Sequence, residues 1–447
     1  MQGSAQNLPY SRLIAYSFGM MGWSVLVNMI GVLLIYFYLP PSNSGMVNLL
    51  SQAMILGVLN LPSLITAAGR LVDAVYDPFI GQLSDRSANP QGRRIPFMKL
   101  SVLPSVVFCA LVFLPLDRSE SASNAIWLTV TLILFFVSAT TYIIPYNALM
   151  PEMAHTAADK VRFSTYQQVG FVMGIVMASA TNNIADLVQN GLGISDRMQA
   201  VQYAIWGLCG LGGVLMLIPV LAIDERKYCR GKPSHTPLIA AIRHSFRNKN
   251  FVYYIAADFS YYMAMYIITS GLLYFLTVLC GGPESEGVLL MGTMVGVSLL
   301  FYPFINLFAN RIGKKKIVLF SFAMLALLFL GIYYLGKFPM DKVGQMYLLV
   351  IGASLPLASL GILPPAILAE IAEEDAQRTG ENREGLYFAV KYFVVKLGQT
   401  FGIALFAFLT LYGKDPGNDL GLRLNGICGF VLCAVAFIAF SKFKEKG

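Results

Sequence analysis

Residues 69–96 read GRLVDAVYDPFIGQLSDRSANPQGRRIP, and the fold turns on how that stretch is understood. Its first half sets Arg70, Asp73 and Asp77 inside an apolar run that begins near Leu49. Residues three and four apart share a helix face, so the three charges form one stripe. Its second half, from Asp85-Arg86 to Gly92-Arg93-Arg94, is a short basic loop. Charges inside a helix apolar enough for lipid are costly, and they normally face a protein-lined or watery cavity. The plainer reading is a structural ion pair between Arg70 and one aspartate. A second aspartate leaves a net negative charge that such a pair does not need. The stripe is therefore expected to form a cation or proton site, with Arg70 in the coupling machinery.

The composition places this helix in a membrane. The chain has 447 residues, of which 56% are hydrophobic and only 13% charged, with a mean hydropathy of +0.64. A soluble chain carries about 25% charged residues. Several apolar runs reach the roughly 20 residues needed to cross a bilayer, so the fold class expected is an all-α polytopic membrane protein. The net charge of +8 lies in alternate loops, as the positive-inside rule requires, and does not argue for nucleic-acid binding. Cys109, Cys209, Cys229, Cys280, Cys428 and Cys433 are scattered without CxxC spacing, so packing is expected of them and neither a metal site nor a disulfide. Met1–Arg12 lacks the layout of a cleaved signal, and the first apolar run is expected to be retained.

Twelve spans are expected, near 14–39, 49–84, 97–116, 125–150, 163–188, 201–222, 250–279, 286–309, 316–336, 344–371, 384–412 and 423–442. The even-numbered connections carry Arg86, Arg93, Arg94, Lys160, Arg162, Arg226, Lys227, Arg243, Arg311, Lys314, Arg378 and Arg383; the opposite loops have few basic residues. Both termini are thus expected in the cytoplasm of a cell that holds the protein in its inner or plasma membrane. Residues 223–249 read as a linker between an N-terminal bundle (1–222) and a C-terminal bundle (250–447). Within the linker, 237–246 suits a short amphipathic helix at the membrane surface.

The two halves repeat. Asp85-Arg86 followed by Gly92-Arg93-Arg94 matches Asn310-Arg311 followed by Gly313-Lys314-Lys315. Ala148-Leu149-Met150-Pro151-Glu152 matches Ala366-Ile367-Leu368-Ala369-Glu370, and each is followed by R-x-x-x-Y, at Arg162…Tyr166 and Arg383…Tyr387. Three correspondences in one order predict two parallel six-helix repeats, a layout that resembles the major-facilitator fold. Basic loops can merely orient helices. Asp85, Arg86, Glu152 and Arg311, at helix ends on one side, are also suited to ion pairs that gate access.

Arg70-x-x-Asp73-x-x-x-Asp77-Pro78-x-x-Gly81, with Asp85 and Gly92-Arg93-Arg94-x-Pro96, resembles the glycoside–pentoside–hexuronide:cation symporters, a family typified by melibiose permeases. Pro145-Tyr146-Asn147-Ala148-Leu149-Met150-Pro151, Asn248-Lys249-Asn250-Phe251, Arg383-Glu384-Gly385-Leu386-Tyr387 and Val394-Val395-Lys396 extend the resemblance along the chain. It implies that Asp73, Asp77 and Thr140 bind the coupling cation and that Lys396 links cation and solute sites. Two carboxylates and a hydroxyl suit a sodium ion, whereas a proton needs one carboxyl of raised pKa. Lys396 lies more than a turn inside its helix. Lys391, nearer the helix end, suits a lysine snorkelling to the interface.

The sugar side departs from the family. Ser24 and Ile143 stand where acidic residues are found in melibiose permeases, Asn147 and Gly361 stand for tryptophans, and Gln167 or Gln168 for an arginine. Ser24, Asn28, Asn147, Gln167, Gln168 and the intramembrane Asp258 are the candidate solute ligands, with Tyr261, Tyr262 and Tyr266 as a replacement aromatic surface. Each amide alone equally suits an interhelical hydrogen bond. The function expected is symport of a glycoside-like solute with Na+ or H+ by alternating access, in a monomer with no other cofactor. The alternatives are carriage of an amphipathic solute such as a lysolipid, or a non-transporting sensor on the same fold. No nucleophile–base pair, metal cluster or phosphate loop points to an enzyme.

Overall fold

The computed structural model describes residues 9–40, 47–51, 54–55, 59–154, 156–229, 238–283, 286–339 and 341–445. In chain order the elements are α1 (Tyr10–Tyr38), a two-stranded antiparallel hairpin of β1 (Met54–Ile55) and β2 (Leu59–Asn60), α2 (Leu61–Asp85), α3 (Ile95–Val112), α4 (Ala122–Met153), α5 (Ala157–Ser179), α6 (Thr181–Leu192), α7 (Arg197–Ala222) and α8 (Glu225–Tyr228). There follow α9 (Leu238–Ser245), α10 (Lys249–Tyr274) with a π-helical turn at Phe275–Leu279, α11 (Glu286–Ile312), α12 (Lys314–Tyr333), α13 (Lys342–Thr379), α14 (Glu384–Thr410) and α15 (Leu420–Ser441). Ten of these helices are long and apolar enough to cross a membrane, and α5 with α6, bent by 45°, supplies an eleventh span. α2, whose 25 residues run roughly 37 Å, is long enough to cross but falls outside that set because it carries Arg70, Asp73 and Asp77; it stands at the second of the twelve expected places. Large apolar side chains such as Leu100, Leu103 and Val107 on α3 point outward at helical spacing, as lipid-facing residues do.

The helices form two compact units. Unit 1 comprises Met1–His155, Tyr166–Leu238 and Asp375–Ala389; unit 2 comprises Thr156–Thr165, Ile239–Glu374 and Val390–Gly447. Unit 1 therefore includes the last turn of α13 and the first turn of α14. Within unit 1, α7 packs on α1 and α3; within unit 2, α15 packs on α10 and α12. The sixth span meets the first and third just as the twelfth meets the seventh and ninth, which is the packing expected of a repeat.

The repeat extends to how its basic loops are held. The Glu225 carboxylate, just past α7, accepts from the backbone N–H groups of Arg93 (2.6 Å), Arg94 (2.9 Å) and Ile95 (3.0 Å) at the start of α3. Glu445, just past α15, accepts from Lys314 (2.8 Å) and Lys315 (3.1 Å) at the start of α12. Both satisfy donors that a helix start leaves without partners, with the charge sign that the helix dipole favours. Gly92 (φ +122°) and Gly313 (φ +93°) make the turns; a Cβ on Gly92 would collide with the Glu225 carboxylate.

Four expected boundaries move. The second span starts at Leu61, not Leu49, because Pro62 fits a first helical turn, where its missing N–H costs nothing. The fifth span breaks at Ala180, where the Thr181 hydroxyl takes the Ala178 carbonyl (2.6 Å) from the helix ladder. The tenth span runs on to Thr379 through good helix formers and ends where Gly380, at φ +75°, donates back to Ala376 O. Part of the linker is helical, at Glu225–Tyr228 and Leu238–Ser245; residues 230–237, with the start of the expected surface helix, lie outside the described residues.

Candidate functional site

Asp73 and Asp77 lie one turn apart on α2, 6% and 0% exposed, and face α4. Thr140 on α4 donates its hydroxyl to Asp73 Oδ1 and stands 3.5 Å from Asp77 Oδ1. On the adjoining face, the Thr141 hydroxyl is spent on the Val137 carbonyl (2.7 Å), so Tyr76 donates to Thr141 across 3.2 Å and fixes the register of the two helices. Three oxygens, two of them carboxylate oxygens, converge in a buried place. Hard oxygens of that kind suit a small monovalent cation, and paired carboxylates equally suit a proton. Arg70, half-buried, forms no ion pair among the described residues, so the simple Arg70–aspartate pair is not what neutralises the stripe.

The gate candidates divide. Arg94 is fully buried and holds Asp85 (2.5 Å), Glu152 (3.0 Å), Glu384 (3.3 Å) and the Ser84 hydroxyl (2.7 Å). Arg93 holds Glu152 at 2.9 Å. Asp85 also accepts from the N–H groups of Gly385 (3.0 Å) and Leu386 (2.9 Å), capping α14. That contact needs Gly81 and Gly385: a Cβ on Gly81 would meet Gly385 O at 2.7 Å. The field of three carboxylates pushes the Arg94 guanidinium still higher, against the burial that opposes its charge. Arg86 and Arg311 are exposed and stand outside this network. In unit 2 the counterpart of Arg94–Glu152 is Lys314 with Glu370.

The solute-side candidates fall into separate groups. In unit 1, Ser24 donates to Phe171 O (2.6 Å) and receives Asn28 Nδ2 (3.0 Å). Asn147 donates to Ile143 O (2.7 Å) and receives Gln167 Nε2 (2.5 Å), leaving Gln167 Oε1 buried without a partner among the described residues. Gln168, half-buried, follows it. Asn147 is held by its neighbour Tyr146, whose ring stacks on Tyr16 at 4.2 Å while each hydroxyl bonds the other's carbonyl. In unit 2, Asp258 on α10 is buried, and so is Lys391 on α14, which overturns the interfacial reading of Lys391. Tyr261 meets Tyr262 edge to face at 5.0 Å and packs on Phe322, while Tyr262 and Tyr266 remain half-buried. Lys396 is half-buried on α14.

The family model described as "MFS/sugar transport protein" matches residues 15–413. The chain belongs to that family. The transporter is 25% identical to the putative glycoside/cation symporter YagG of Escherichia coli (strain K12), over 81% of this chain and 75% of that one. It is 22% identical to sodium-dependent lysophosphatidylcholine symporter 1 of Xenopus tropicalis, over 79% of this chain and 73% of that one. Its fold matches the major-facilitator transporter FucP with a TM-score of 0.69 at 13% identity, over 99% of this chain and 100% of that one. The transporter is thus a multi-pass membrane protein of the major-facilitator fold, similar to glycoside–pentoside–hexuronide:cation symporters.

The sequence reading gave no gating or capping role to Arg93, Arg94, Glu225, Glu384 or Glu445, and it placed Lys391 at the interface. One signal was present for the capping pair. Glu225 and Glu445 follow the sixth and twelfth spans at nearly the same distance, each one repeat from the other.

Proposed function

We propose that this transporter is a symporter that carries a neutral, polyhydroxylated, glycoside-like solute with Na+ or H+ by alternating access. The observation that carries the reading is the buried convergence of Thr140 on Asp73 and Asp77. A membrane helix retains two buried carboxylates at a cost that a co-transported cation offsets. The basic loops favour both termini in the cytoplasm, and the buried cluster of Asp85, Arg94, Glu152 and Glu384 in unit 1 is suited to gate that side. Lys396 takes the role of making solute affinity depend on the cation, as the family resemblance implies. Amide and hydroxyl groups at Ser24, Asn28, Asn147, Gln167 and Gln168 suit sugar hydroxyls better than a charged headgroup.

The test is uptake into proteoliposomes under an imposed Na+ or H+ gradient, with radiolabelled methyl glycosides and lysophosphatidylcholine offered in parallel. Gradient-driven accumulation of a glycoside is expected. Accumulation of lysophosphatidylcholine alone would transfer the reading to an amphipathic solute, and gradient-independent equilibration would remove symport.

A further inference from the structure

We propose that Asp258 and Lys391, with Tyr254, form a hydroxyl-binding subsite in unit 2, where one hydroxyl of a neutral solute bridges carboxylate and ammonium. The proposal rests on the glycoside reading above. Tyr254 and Asp258 are four residues apart on α10 and share a face, and both are buried. Lys391 comes from α14 and is 5% exposed, as is Asp258. Lys391 lies on the face of α14 that packs on α10: two and three turns further on, a Cβ on Gly398 would lie 2.9 Å from Phe259 O and one on Gly402 2.6 Å from Met263 O, and Lys391 is the charged group whose field Asp258 feels. No ion pair within 4.0 Å joins them among the described residues. The Lys391 ammonium instead rests 5.6 Å from the centre of the Tyr392 ring.

Asp258 Oδ2 and the Tyr254 hydroxyl are buried with no hydrogen-bond partner among the described residues. Buried polar atoms left unmade are costly, and opposite charges in a membrane interior normally close on each other. Here two atoms lack partners and the charges stand apart. One polar group able to bond both would satisfy them.

The donor set says which. A carboxylate only accepts, an ammonium only donates, and a phenol does either. A hydroxyl donates to Asp258 while accepting from Lys391 or Tyr254, and it matches the zero net charge of the pair. A phosphate would meet the carboxylate with like charge. A quaternary ammonium can neither donate to Asp258 nor accept from Lys391. Among the described residues the titratable groups facing the carboxylate are Tyr254, Tyr261 and Tyr262 of α10 and Lys391 of α14, with Tyr266, Tyr302, Tyr392 and Cys433 beyond them, so Lys391 is its one charged neighbour.

The experiment measures affinities of purified protein for a set of methyl glycosides and their single-deoxy analogues by isothermal titration calorimetry. Removing one side of a buried pair risks misfolding, so the key variant is neutral throughout, Asp258→Asn with Lys391→Gln. A cation-dependent shift in melting temperature reports that its cation site is intact. In the wild type, one deoxy position costs roughly 10- to 150-fold in affinity, as expected for a hydrogen bond to a charged group. In the double variant, affinity for the parent glycoside falls by a similar factor and the penalty for that same position disappears. A double variant that keeps both parent affinity and the deoxy penalty overturns the subsite and leaves the glycoside reading standing. One that keeps glycoside affinity but loses proton-driven uptake makes the pair a proton site and also overturns the proposal. A wild type that binds no glycoside removes the glycoside reading and the subsite with it.

Discussion

Thr140 on α4 donates its hydroxyl to Asp73 on α2, a residue 67 positions earlier in the chain, and thereby closes the third side of a site whose other two sides are Asp73 and Asp77. Thr140→Val keeps the shape and removes the donor. The cation affinity read from the cation-dependent melting shift should fall about 10- to 150-fold, and Thr140→Ser should restore most of it. Unchanged affinity in the valine variant would take Thr140 out of the site.

Arg94 is the buried cation that three carboxylates share. Arg94→Met leaves Asp85 without its paired cation and Glu152 and Glu384 with Arg93 alone, and breaking a buried pair typically costs about 3–5 kcal/mol. Detergent-solubilised protein should melt well below the wild type. Arg94→Lys should recover only part of the loss, because a single ammonium cannot reproduce the guanidinium fork. A lysine variant as stable as the wild type would mean that charge alone matters there.

Glu225 and Glu445 cap α3 and α12 in corresponding places, but Glu225 accepts from three backbone groups and Glu445 from two. Glu225→Ala should cost about 1–3 kcal/mol in unfolding measured by thermal denaturation, and Glu445→Ala less. Equal losses would argue that the second cap counts for as much as the first.

What the sequence made legible was whatever local spacing encodes. The i, i+4 aspartates of α2, the two six-helix repeats and most spans could be read that way. What it hid depends on neighbours far along the chain. Arg86 was a natural gate residue beside Asp85, yet it is exposed, because the next residue on a helix turns about 100° away. Gly92, at positive φ, instead turns Arg93 and Arg94 back onto the helix ends. Lys391 suited snorkelling because its position in α14 suggested a helix end; nothing local announced that it is buried. Ala180, where the fifth span bends, lies in a run that hydropathy alone reads as continuous.

Lys396 on α14 is expected to carry coupling. Its replacement by alanine should leave cation binding measurable but abolish the dependence of solute affinity on cation, which in the wild type should be roughly 5- to 150-fold. Glycoside affinity titrated with and without saturating cation decides it. A variant with the full cation effect would make Lys396 structural.

The most direct measurement is cation-driven accumulation by Asp73→Asn and Asp77→Asn, each reconstituted beside wild type in proteoliposomes with an imposed Na+ or H+ gradient. Quantitative blotting confirms equal insertion. If Asp73 and Asp77 hold the coupling cation, wild type concentrates the solute while each variant at most equilibrates it. Concentration by both variants to the wild-type level would contradict the account.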